Sequence, residues 1–251
     1  MIFVLPFLKR TDDDVYNLRM AIRSLFQWRY GFTDKLFVVG NTPAHVKEEF
    51  HSKNISYIDY SQKPKSYSPK EVLSKVVYSF NFFPEDEFIL IHDDMFLVKE
   101  TTDEMLKTIY HRNTSFTEIQ DAHGFEFFLN YSYYLVAKKR DEVITDFVTH
   151  MPFFFRKNKV LDIIAEYGLL DQATGPAVFE NIYYNHFKDE ISSVPYDDYV
   201  YRVHSREGEG STFSAEALNS SSSCFIFNYN DDGFQSNEDS IRKFFTESLF
   251  S

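Results

Sequence analysis

The residues of this chain best suited to chemistry begin with His92-Asp93-Asp94. Two adjacent carboxylates repel one another and resist desolvation unless a cation or hydrogen-bond donors offset their charge. A divalent ion carrying a diphosphate supplies that offset, because hard oxygen ligands suit Mg²⁺ or Mn²⁺. The competing reading is a surface turn, since Asp is common where strands end. His150 stands two residues before Pro152, where a turn would aim its ring into a cleft, although a lone histidine also serves structure. Asn230-Asp231-Asp232 repeats the acid pair after a second apolar run, and Gly233 behind it suits a turn equally well. Arg19 and Arg23, four apart, share a helix face and either grip a phosphate or pair with Asp12-Asp13-Asp14 upstream. Those three acids are most simply a cap and first-turn charges. Asp171-Gln172 likewise reads as a helix cap.

What positions these groups is an alternation of strands and helices. Residues 88–91 are apolar without alternation, the pattern of a strand buried on both faces. The acid pair then falls at its carboxyl end, where open α/β sheets bind ligands. Ahead of it, strands are predicted over 2–8, 35–40 and 55–60. Helices follow Asp14, run from Pro43 to about residue 51, and span 69–80. That order implies right-handed parallel crossovers and a nucleotide-binding half of Rossmann type. No Gly-x-Gly-x-x-Gly follows any strand and no P-loop is present, which argues against a nicotinamide or flavin dinucleotide. The second half is less regular. Helices are expected over 101–110, 157–167, 176–187 and 237–250, and strands over 115–119, 199–204 and 224–228. Residues 144–155 read as extended around Pro152, 206–223 as a mobile Gly/Ser-rich loop, and the aromatic-rich 125–136 resists assignment.

Composition narrows the class. A length of 251 residues suits one large α/β domain, here 1–251. A net charge of −12 argues against a broad nucleic-acid face. The single cysteine, Cys224, excludes an internal disulfide and fits a reducing compartment. With 28 Phe and 17 Tyr against 8 Gly, most rings must be core, while some can stack on sugars or bases. No leader pattern or membrane-length apolar run is visible, so the expectation is a soluble, cytoplasmic protein.

Read together, four blocks resemble the Stealth family. Asn17-Leu18-Arg19-Met20-Ala21-Ile22-Arg23-Ser24-Leu25, with residues 36–43, is similar to its "LRYSLRSL … IYIVTNGQ-P" blocks. Residues 88–96 resemble "FIYLNDDMFF", His150-Met151-Pro152 resembles "HMPH", and 225–231 with 244–250 resemble the final block. The family contains sugar-phosphate transferases, and related compact proteins of bacteriophages resemble GT-A-type glycosyltransferases. The resemblance implies a GT-A-like α/β fold: a mixed, mostly parallel sheet flanked by helices, with a helical and irregular C-terminal half. Residues 1–100 would bind a nucleotide sugar, such as a uridine diphosphate sugar, and 101–251 would carry the acceptor and catalytic groups. It makes Asp93 and Asp94 the ligands of Mn²⁺ or Mg²⁺ and assigns catalysis to Asp94, His150 and Asp231. Arg19, Arg23, Asn41, His92 and Asp93 would hold the donor. The acceptor would be a hydroxyl, on a hydroxymethylated base of phage DNA in the host cytoplasm or on a surface glycan. Three departures are plain: Phe3-Val4-Leu5-Pro6-Phe7 replaces the family's opening block, His92 replaces an asparagine, and Gly168-Leu169-Leu170-Asp171-Gln172 lacks the family's arginine. The missing arginine favours transfer of the sugar alone over transfer of sugar with phosphate. A non-catalytic nucleotide- or carbohydrate-binding module is the reading from a different class.

Overall fold

The computed structural model describes all residues except 30–33, 61–67, 113–119, 121, 123, 141–143, 204, 207–208, 211, 230 and 250–251, and all side chains but those and 205–206, 209–210, 231–233 and 248–249. Strands β1 (Ile2–Phe7), β2 (Lys35–Gly40), β3 (Ile55–Ile58) and β4 (Glu87–Leu90) form a parallel sheet in the order β3-β2-β1-β4. The helices between them are α1 (Asp12–Trp28), α2 (Ala44–Glu49) and α3 (Pro69–Ser79).

The unbroken apolar runs follow from covering both faces. Along β1 successive side chains point to opposite sides. Phe3, Leu5 and Phe7 join Leu18, Ile22 and Leu25 of α1, while Ile2 and Val4 join Val72, Leu73 and Val76 of α3. Gly40 is obligatory at the end of β2: its φ is +152°, and a Cβ there would lie 1.9 Å from the Phe7 carbonyl oxygen. Thr11 caps α1, with Asp14 returning the bond in a capping box. The three acids therefore occupy the first turn, one residue inside the cap.

The second half begins with β5 (Met95–Leu97), α4 (Asp103–Lys107), β6 (Ile109–His111) and α5 (Phe125–Arg140). Next come β7 (Phe153–Arg156), α6 (Lys157–Tyr167), α7 (Phe179–His186), β8 (Ser193–Pro195) and β9 (Val200–Val203). A small pair, β10 (Ser205–Arg206) and β11 (Glu209–Gly210), precedes α8 (Ala215–Ser220), β12 (Ile226–Tyr229) and α9 (Asp231–Leu249). β7 adds to β4 antiparallel, closing the main sheet with a fifth strand. A second sheet has the order β5-β12-β9, and β6 pairs with β8.

Several expectations change here. Residues 125–140 are a helix whose period is hidden because Phe127 and Tyr134 are exposed while Leu129, Tyr133 and Val136 are buried. Residues 101–110 split into α4 and the start of β6, and 206–223 holds β11 and α8 rather than loop throughout. The turn expected at 231–233 is the start of α9, which kinks at Asn237. The strand expected over 115–119 lies outside the described residues. Among the described residues no helix is long and apolar enough to cross a membrane.

Candidate active site

The acid pair sits on the turn between β4 and β5. β4 runs beside β1 at the centre of the main sheet, and the Ile91 amide still donates to Val4 O at 3.0 Å. The chain then reverses, with the Met95 amide donating to His92 O at 3.2 Å. Met95 pairs with Asn228 of β12 in the second sheet. The buried Asn228 side-chain amide donates to Asp94 O at 2.7 Å. One sheet therefore delivers the turn and the other pins it.

Two histidines flank the acids. His150 Nδ1 lies 3.7 Å from Asp94 Oδ2, and the residue has a left-handed backbone, φ 52°. A non-glycine residue seldom adopts that region, and here it turns the chain from Thr149 into β7. His92 Nε2 lies 3.4 Å from Oε1 of Glu180, which is buried in the first turn of α7. His92, Asp94, His150 and Glu180 open onto a cleft whose remaining walls are apolar, among them Val72, Val148, Phe153 and Val178.

The electrostatics separate the two acids. Burial and the neighbouring Asp94 charge push the Asp93 carboxyl up to about 7. Burial raises Asp94 too, but His150, His92 and Asn228 outweigh it and bring the group down to about 2. Burial also lowers His150, against the pull of Asp94, which favours the neutral imidazole. At His92, burial is overcome by Glu180 and the two aspartates, and its pKa rises.

A divalent ion suits this donor set. Asp94 Oδ1 is buried and accepts no hydrogen bond from the described residues, and Asp93 ionises reluctantly without a positive neighbour. Among the described residues no group of three or more His, Cys, Asp or Glu surrounds one point. Two carboxylates with the remaining positions left to water and substrate phosphate is the usual arrangement for Mg²⁺.

The other expected site residues are dispersed. Asn41 follows β2 at the same end of the sheet, where its Oδ1 accepts the Lys9 amide at 2.9 Å. Arg19 and Arg23 both pair with Glu49 of α2, Arg19 Nε at 2.7 Å, instead of with Asp12-Asp13-Asp14, and neither lines the cleft. Asp231 opens α9 two residues beyond β12's Tyr229, and its side chain lies outside the described residues. Asp171 caps no long helix: its carbonyl and that of Thr174 receive Lys70 Nζ. Sequence reasoning missed Asn228 and Glu180. Each carries a signal in hindsight, a lone polar residue in the buried run Ile226–Tyr229 and a lone acid in the buried run Phe179–Asn185.

No family model and no curated protein matches the sequence. Solved structures do match. The galactosyltransferase LgtC in complex with donor and acceptor sugar analogs is 9% identical, with a TM-score of 0.56 over 97% of this chain and 95% of that one. An active-site mutant of LgtC is 10% identical, with a TM-score of 0.53 over the same shares. This chain has the GT-A glycosyltransferase fold. The comparisons carry no likeness to the Stealth family or to a phage type.

Proposed function

We propose that this protein is a glycosyltransferase that moves a sugar from a nucleoside diphosphate, uridine diphosphate first among them, to an acceptor hydroxyl. The observation that carries the reading is the Asp93-Asp94 pair at the carboxyl end of β4, with His150 3.7 Å from Asp94. Asp93 and Asp94 would hold Mn²⁺ or Mg²⁺, which when bound supplies positive charge to the leaving diphosphate. His92, beside them, would face the donor as well, and Glu180 and the two aspartates favour its charged form. The acceptor oxygen attacks the anomeric carbon, the bond to the β-phosphate oxygen breaks, and its electron pair leaves on the diphosphate. The hydroxyl proton passes to a base. His150, whose burial favours the neutral imidazole, suits that role, and Asp231 is the second candidate.

A glycan hydroxyl is a better acceptor than a base in DNA. Of the basic residues that might meet phosphate, Lys70 binds two carbonyls, Arg156 pairs with Glu87, Lys157 binds Phe80 O and Phe83 O, and Lys159 pairs with Glu190. Lys63 and Lys65 lie outside the described residues.

The test is product analysis. Purified protein, Mn²⁺, a panel of uridine diphosphate sugars and either glycan acceptors or hydroxymethylcytosine duplex are incubated and separated by chromatography. Uridine diphosphate and a glycosylated glycan are expected. Uridine monophosphate with phosphate retained on the acceptor would overturn this in favour of sugar-phosphate transfer. Donor binding without any turnover would leave a binding module.

A further inference from the structure

We propose that Glu180 reads the donor sugar and restricts it to neutral hexoses, excluding sugars that carry a carboxylate. The inference rests on the nucleotide-sugar reading and adds to it a substrate class. Glu180 is 5% exposed, yet it lines the cleft that holds Asp94 and His150. Burying an acid is costly unless its oxygens are satisfied. Among the described residues its one recorded partner is His92, which meets Oε1 at 3.4 Å. Oε2 receives no hydrogen bond from them. Val72, Val148, Phe153 and Val178, which line the same cleft, have no donors to give, so the two histidines His92 and His150 are its only side-chain donors among the described residues. A molecule that displaces water from this cleft is therefore best matched when it brings hydrogen-bond donors to Glu180 and apolar surface to the walls. A pyranose does both: its hydroxyls donate and its C–H faces pack on apolar side chains. With the diphosphate drawn to Asp93 and Asp94, the sugar attached to it comes to lie in the same cleft as Glu180.

The same geometry excludes. A uronate would bring a third carboxylate into a space already holding Asp94 and Glu180, where like charges repel in a poorly hydrated surrounding. A carboxylate that accepts hydroxyl bonds also rejects a sugar lacking them more strongly than an apolar pocket would.

Calorimetric titration with uridine diphosphate, UDP-glucose, UDP-galactose and UDP-glucuronate, all with Mn²⁺, tests the assignment on the wild type and on Glu180→Gln. The wild type is expected to bind one or both hexose donors at least about tenfold more tightly than the glucuronate, a span typical of one charge-assisted hydrogen bond. Glu180→Gln should weaken hexose binding by a similar factor and strengthen glucuronate binding, each taken relative to the same protein's affinity for uridine diphosphate, because the loss of the Glu180 charge also reaches His92. A residue serving only to pack α7 would not gain the glucuronate. Equal wild-type affinity for hexose and glucuronate overturns the proposal, and needs no variant to be folded. So does an unchanged preference in Glu180→Gln. Wild type that binds uridine diphosphate but fails either comparison loses only this inference; wild type that binds none of the four loses the transferase reading with it.

Discussion

The two sheets meet at one turn and contribute to it in different ways. The main sheet is assembled from neighbours in sequence: β1, β2 and β3 follow one another with a helix between each, and β4 returns beside β1. The second sheet joins residues 95–97, 200–203 and 226–229, which are remote in sequence, around an aromatic cluster. Phe227 alone lies within 6.0 Å, centroid to centroid, of Phe96, Tyr201, Phe213, Tyr229 and Phe245. The first sheet sets where the acids leave the core. The second, through Asn228, sets how the turn carrying them is held. Regular local structure thus aims a functional group, and long-range packing fixes it.

The largest effect should fall on the second sheet. Phe227→Ala removes a fully buried ring and leaves a cavity, which costs about 3–5 kcal/mol. Because Asn228 follows directly, nucleotide binding should also weaken under conditions where the variant is still folded. Val38→Ala in β2, equally buried but on the far side of β1, should lower stability and leave binding intact. Urea unfolding and calorimetry on the two variants decide it. Loss of binding by both would show that the turn is held by the fold as a whole and would break the comparison.

Next in size is the acid pair. Asp94→Asn should cost at least about a hundredfold in turnover, as removal of a group that directly organises reacting charge does. The fold should survive, since the substitution relieves repulsion with Asp93 and keeps a side chain for His150 to meet. Excess chelator added to the wild type should abolish nucleotide binding in the same way. Nucleotide binding that persists undiminished in chelator would sink the metal bridge while leaving the fold assignment untouched.

How much of this was legible follows the same division. The strands at 35–40 and 55–58, the helix opening at Pro69 and the placement of Asp93-Asp94 all rest on local signals: apolar runs, a proline at a helix start, acids after a strand. The helix at 125–140 was not legible, because aromatic residues on both its faces blur the 3.6-residue period. The extended chain of β7 was legible in the reading of 144–155, but its antiparallel pairing with β4 was not, because it depends on a return of the chain across more than sixty positions, from Glu87 to Arg156. Arg19 and Arg23 sit where the helix period puts them, on one face of α1. Their partner Glu49 comes from α2, and no spacing rule within α1 names it. Glu180 reaches His92 only because α7 packs beside the main sheet, so its role could not be read before the fold was known.

The smallest effect belongs to the most local device, the cap of α1. Asp14 accepts the amides of Arg10 and Thr11, each at 2.7 Å, and the Arg10 guanidinium at 2.8 Å. Burial pushes its carboxyl up, but these bonds outweigh burial and hold its pKa below 3.8. The sign follows from linkage. As pH falls, the unfolded chain takes up the proton before the folded one, so the stability Asp14 contributes is present above 3.8 and is lost as pH falls through the folded value. Asp14→Asn should therefore cost about 1 kcal/mol at pH 7, the usual worth of a helix cap. The gap to wild type in urea unfolding should narrow steadily once the pH drops below 3.8. The effect of Asp14→Asn on nucleotide binding should be small, because Asp14 makes its hydrogen bonds at the start of α1 and reaches the turn after β4 only through the charge it presents to Asp93. A gap that stays constant through that range would mean that Asp14 acts by shape instead of charge. A loss of binding alongside it would mean that the start of α1 belongs to the site, and the separation drawn between local framework and long-range fastening would have to be redrawn there.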